Sequence, residues 1–81
     1  MEIRVMLFGS AKEIVGAGEV RLDAGPGATT ATLVQSLIER YPRLGPWRGI
    51  LRVAVNREYA PGETAVSPGD EVAVIPPVSG G

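Results

Sequence analysis

The chain contains no cysteine and no histidine among its 81 residues. The first absence excludes a disulfide framework, a zinc knuckle and a thiol nucleophile. The second removes the commonest general base and metal ligand. Lysine occurs once, at Lys12, so any side-chain catalysis would fall to carboxylates, arginines or that single amine. No apolar run approaches the length needed to cross a membrane. Residues 5–11 are apolar and end in small side chains, but Glu2 and the lone Arg4 make a poor n-region for a signal peptide, so the segment reads as a strand. Eight basic residues are spread from Arg4 to Arg57 in a chain of net charge −1 and form no basic block. Electrostatics therefore argue against nucleic-acid and membrane-surface roles, and a cytoplasmic protein is the expectation.

What is present is enough apolar material for one small core. Hydrophobic residues make up 44% of the chain, and 81 residues lie just above the size at which a core holds without metal or disulfides. Eleven glycines and seven prolines stay short of low-complexity composition.

Residues 2–8 alternate, with Ile3, Val5 and Leu7 on one face and Arg4, Met6 and Phe8 on the other, which predicts a strand. Ser10 is a candidate cap for a short helix over residues 11–15. A Gly16-Ala17-Gly18 turn leads to a second strand with Val20 and Leu22 inward, able to pair antiparallel with the first. The loop 23–28 is glycine-rich and precedes a helix, yet it lacks the spacing of a phosphate-binding motif and reads as a connection. Thr29 or Thr30 caps a helix that runs to about Tyr41, with Leu33, Leu37, Tyr41, Val34 and Ile38 on one face, and Pro42 closes it. Trp47, in the loop 43–49, is expected to plug the open end of the core. A strand over residues 50–55 has Leu51, Val53 and Val55 inward and Arg52 and Ala54 outward. After a turn at 56–58 and an irregular return, Ser67-Pro68-Gly69-Asp70 fits a type II turn. The last strand, 71–75, has Val72 and Val74 inward and Ala73 and Ile75 outward.

One long helix between strands in so short a chain packs across one face of a mixed sheet. The expected fold is α+β, a β-grasp with four to five strands on one main helix and the first and last strands parallel and central. Residues 1–76 would form this domain and 77–81 an extended, flexible tail. Phe8 and Ile75 then fall together on the outward face at the strand ends, as an apolar docking patch where the tail departs.

The chain ends Val74-Ile75-Pro76-Pro77-Val78-Ser79-Gly80-Gly81, with no charge after Glu71. No side chain there can do chemistry, so a functional tail would act through its terminal carboxylate. That group is ionised at neutral pH and is a poor electrophile until it is activated. An acyl-adenylate would supply the leaving group; a sulfur donor would then give a thiocarboxylate, an amine an amide. The diglycine admits the chain to a narrow channel. The five residues 77–81 reach at most ~17 Å.

These features together resemble the MoaD type of ubiquitin-like sulfur carriers, the small subunit of molybdopterin synthase. The resemblance is carried by residues 3–8, by Glu13-Ile14-Val15-Gly16, by Ala54-Val55-Asn56, and most specifically by residues 69–81. It departs where related proteins often carry aromatics before Pro-Pro; here stand Val74 and Ile75, which leave the patch apolar but smaller. The family implies a carrier that is not an enzyme alone and binds no cofactor. A ubiquitin-activating-like adenylyltransferase (MoeB-like) would use ATP and Mg²⁺ to adenylate Gly81, and a sulfur donor system would convert it to a thiocarboxylate. The large synthase subunit (MoaE-like) would accept the tail and transfer sulfur to cyclic pyranopterin monophosphate. Phe8, Ile75, Pro76, Pro77, Val78 and Ser79 would contact partners, and Gly80-Gly81 would present the reacting atoms. Sulfur delivery to thiamine, cysteine or tRNA thiolation, and protein modification through Gly81, are the alternatives.

Overall fold

The computed structural model describes residues 2–76. The chain runs β1 (Glu2–Leu7), α1 (Gly9–Val15), β2 (Glu19–Asp23), α2 (Thr30–Arg40), a 3-10 helix (Pro42–Trp47), β3 (Arg52–Val55), β4 (Glu58–Tyr59) and β5 (Val72–Ile75). The strands form one mixed sheet in the order β2-β1-β5-β3-β4. β1 pairs antiparallel with β2 and parallel with β5, and β5 pairs antiparallel with β3. This is the α+β β-grasp arrangement that the element order implies. The tail 77–81 lies outside the described residues.

Alternation sets the core. Ile3, Val5, Leu7, Val20, Leu22, Val53, Val72 and Val74 are all buried on the inner face, where Leu33 and Leu37 of α2 meet them. Thr29 caps α2: its hydroxyl accepts from the Thr32 N–H, and the Thr32 hydroxyl accepts from the Thr29 N–H, a reciprocal capping box. The return segment clamps the same helix end. Thr30 and Ala31 donate their N–H groups to the carbonyls of Thr64 and Gly62, and the buried Thr30 hydroxyl donates to the Pro61 carbonyl at 2.6 Å. The donors left over at a helix start are thereby satisfied.

Three local expectations are corrected. Ser10 caps nothing: the strand runs straight into the helix, Phe8 holds the cap position with no side-chain bond, and Ser10 lies inside the first turn. The core is closed by Leu44, which is fully buried, while Trp47 is only half-buried and stays outside the core cluster. Pro42 ends α2 but starts the 3-10 helix, whose rotation carries Leu44 inward. β3 begins two residues later than alternation suggests, because Ile50 and Leu51 give their N–H groups to the Trp47 carbonyl.

The turns match their chemistry. Gly16 ends α1 in the left-handed region at φ 84°. Gly69 takes φ 94°, and Asp70 donates its N–H to the Ser67 carbonyl at 3.0 Å, as a type II turn requires. Asn56 and Arg57 both have positive φ, 53° and 71°, forming the primed two-residue turn that joins β3 to β4.

The Leu44 assignment has a direct check. Leu44→Ala is expected to cost about 2–5 kcal/mol of unfolding free energy, the usual range for a buried leucine. Trp47→Ala should cost less than half of that, and urea denaturation followed by circular dichroism compares the two.

Candidate functional site

Each register row of the sheet's outer face carries side chains from successive strands. One row runs Met6, Ala73, Ala54, Tyr59, because Met6 pairs with Ala73, Ala73 with Ala54, and Ala54 with Tyr59. The next row holds Ile75, with Arg52 as its partner on β3 and Phe8 just past the last paired residue of β1. Small alanines in the middle and larger side chains around them make a groove. Its volume is about 320 Å³, and Met6, Phe8, Ala54, Tyr59, Ala73 and Ile75 are its apolar lining. Ala54 and Ala73 are 8% exposed yet lie outside the main core cluster beneath α2; they are the groove floor.

The rest of the outer face is polar. Arg4 pairs with Glu19 at 3.0 Å and Arg21 with Glu2 at 3.8 Å across β1 and β2. Such exposed pairs contribute roughly 0–1 kcal/mol each. Their consequence here is positional, since they leave the β1 end, β5, β3 and β4 as the apolar half. Arg57 and Glu71 pair at 3.4 Å where the groove meets the 56–57 turn. Asn56 ties that turn to the start of β5: its side-chain carbonyl accepts from the Glu71 N–H at 3.0 Å, and its amide donates to Asp70.

Of the expected partner-contact residues, Phe8 and Ile75 are brought together at one end of the groove. Phe8 is 47% exposed, a large apolar side chain held in the open. Pro76, the next of them, is buried against the domain. It sits against Gly9, where an added Cβ would come within 3.1 Å of its ring. Gly9 also takes φ +54°, so the close approach and the backbone both favour glycine there. Pro76 is thus the last anchor of β5 on the domain. Pro77, Val78, Ser79, Gly80 and Gly81 lie outside the described residues.

Met6, Ala54 and Ala73 share the outward phase of Phe8 and Ile75, and their part in the groove needed only the strand order to be read. Tyr59 carried no such signal, because its strand is two residues long. Among the described residues, no group of three His, Cys, Asp or Glu could hold a metal ion, and no helix is long and apolar enough to cross a membrane.

The ThiS family profile matches residues 5–81. The chain belongs to the ThiS family. Within it, the chain is 37% identical to the molybdopterin synthase sulfur carrier subunit of Arabidopsis thaliana, over all of this chain and 84% of that protein. Identity to the protein of the same name from Mycobacterium tuberculosis is 34%, over all of this chain and 99% of the relative. The fold also superposes on the crystal structure of SAMP1 from Haloferax volcanii with a TM-score of 0.86 and 30% identity, each chain fully covered. A ThiS-family β-grasp with an apolar groove beside its C-terminal exit is the candidate site.

Gly9→Ala tests the seat of Pro76. It is expected to destabilise the domain by about 1–2 kcal/mol from the left-handed backbone alone, more if the proline ring is displaced. Gly25→Ala, which meets open space, serves as the control in the same urea titration.

Proposed function

We propose that this chain is the sulfur carrier of a molybdopterin synthase, delivering sulfur through the carboxyl group of Gly81. The observation that carries the proposal is the groove itself, an open, largely apolar hollow whose Phe8–Ile75 end borders Pro76. Full-length likeness to proteins named molybdopterin synthase sulfur carrier subunit supports the same reading.

In this mechanism the folded domain binds and positions, and the terminus reacts. A Gly81 carboxylate oxygen attacks the α-phosphorus of ATP on an activating adenylyltransferase, forming the acyl-adenylate and releasing pyrophosphate. A hydrosulfide-level sulfur nucleophile from the donor system then attacks the acyl carbon. The C–O bond to AMP breaks as AMP departs, the sulfur loses its proton, and a thiocarboxylate remains with no change of oxidation state. Phe8 and Ile75 seat against the partner, and Pro76, held on Gly9, fixes the point from which residues 77–81 enter the partner's active site. With no cysteine or histidine in the chain, the groups that activate and transfer belong to the partners. The large synthase subunit accepts the charged tail and passes sulfur to cyclic pyranopterin monophosphate.

A second reading is favoured by the superposition on SAMP1, since the Methanosarcina acetivorans protein of that name is called a small archaeal modifier protein. The same acyl-adenylate attacked by a lysine amine would join Gly81 to a target protein.

Intact mass spectrometry separates these. With activating enzyme, ATP and a sulfur donor, the chain is expected to gain the mass of one oxygen replaced by sulfur; no gain under conditions that charge a known carrier rules the proposal out. Conjugates of higher mass in cell extracts would instead support the modifier reading. Appending one residue after Gly81 should abolish charging and leave the fold intact. Ile75→Asp should raise the KM for the activating enzyme by about tenfold or more, because a carboxylate is then buried at the docking surface.

A further inference from the structure

Charge is unevenly divided along the chain. Residues 40–57 hold five arginines and no acidic residue, whereas residues 58–81 hold four acidic residues and no basic one. Arg57 is paired with Glu71, and the Arg40 guanidinium lies 5.7 Å from the centre of the Tyr41 ring. Arg48 and Arg52 are exposed and make no ion pair among the described residues. The fold brings both to one cleft of about 510 Å³, between the start of α2 and the β3–β4 edge. Ala31, Val34 and Leu51 give it an apolar lining, Tyr59 forms part of its wall, and no acidic side chain among the described residues lines it.

Two guanidinium groups in one concave, partly apolar hollow make a local positive potential on a chain that is acidic overall. The N-terminal end of α2 adds to it through the helix dipole. Its first N–H groups are already bonded to the carbonyls of Gly62 and Thr64, so direct recognition falls to the arginines. Guanidinium groups bind carboxylates in paired, planar geometry, which selects an acidic ligand. The apolar lining calls for a ligand that also brings hydrophobic side chains, as a protein segment does and a free anion does not.

The cleft and the groove meet at one shared residue on the β3–β4 edge. Tyr59, 73% exposed, lines both, and Arg52 is the register partner of Ile75, one residue before Pro76. A protein that covers the groove and takes the tail therefore comes up to the rim of the arginine cleft. We propose that the Arg48–Arg52–Tyr59 cleft docks an acidic segment of the protein that accepts the tail, a second contact separate from the apolar groove. This rests on the reading that residues 77–81 are delivered to another protein.

The test uses the full chain, wild type and the double variants Arg48→Glu/Arg52→Glu and Arg48→Gln/Arg52→Gln, with unfolding curves to establish that each is folded. Two quantities are measured across a salt series: the KM of the chain for its activating adenylyltransferase and its Kd for the large synthase subunit. Charge reversal is expected to raise at least one of them by about tenfold or more with kcat little changed, since like charges across an interface weaken association. The neutral pair should give a smaller loss and a flatter salt dependence than wild type. Unchanged KM and Kd in both variants overturn the proposal. It is equally overturned if the variants lose binding only to anionic vesicles or RNA while both protein partners are unaffected. Failure of the sulfur-carrier reading looks different, because wild type itself would then never acquire the thiocarboxylate mass.

Discussion

The parallel pairing of β1 with β5 is the constraint on which the remaining structure depends. Parallel neighbours cannot be joined by a tight turn, so part of the chain between them must leave the sheet and cross it. That detour supplies α2 and the return segment that clamps it. Both strands are central, and Val5, Leu7, Val72 and Val74 are almost fully buried beneath the helix. The same geometry brings the C-terminal ends of β1 and β5 to one rim. Phe8 therefore lies beside Ile75, and Gly9 beneath Pro76. An antiparallel pairing would have set Phe8 beside the start of β5, far from the tail.

Sheet order then divides the outer face by chemistry. The β2–β1 side carries crossed ion pairs, and the β5–β3–β4 side carries the groove. Alanine at both central floor positions keeps a concavity where larger side chains would have filled it. It also limits how much apolar surface the free domain shows to water. The groove is thus compatible with a small, self-sufficient core. The fold as such does not specify a function; particular residues placed upon it do.

Much of this was legible beforehand because it depends on local rules. Period-two alternation identified the inward residues of β1, β2 and β5, since a strand half-covered by a helix must segregate its faces. Thr29 and Gly69 announced a cap and a turn through hydrogen bonding and backbone freedom that belong to those residues alone. Trp47 misled because size suggested a plug, whereas the phase of the 3-10 helix decided that Leu44 points inward. Ser10 misled because capping chemistry was present without a helix start to cap.

The sequence by itself determined the composition limits, the strand phases, the long helix and the uncharged diglycine end. Those features are written in neighbouring residues, and their physics is short-ranged. Only the tertiary structure decided that Met6, Ala73, Ala54 and Tyr59 form one row, that Pro76 rests on Gly9, and that Arg48 and Arg52 share a cleft. The row and the proline seat join residues tens of positions apart, and the cleft exists only because α2 and the β3–β4 edge are brought together around the two arginines. Such contacts are fixed by strand order and register, which follow from burying one common core and not from any local pattern.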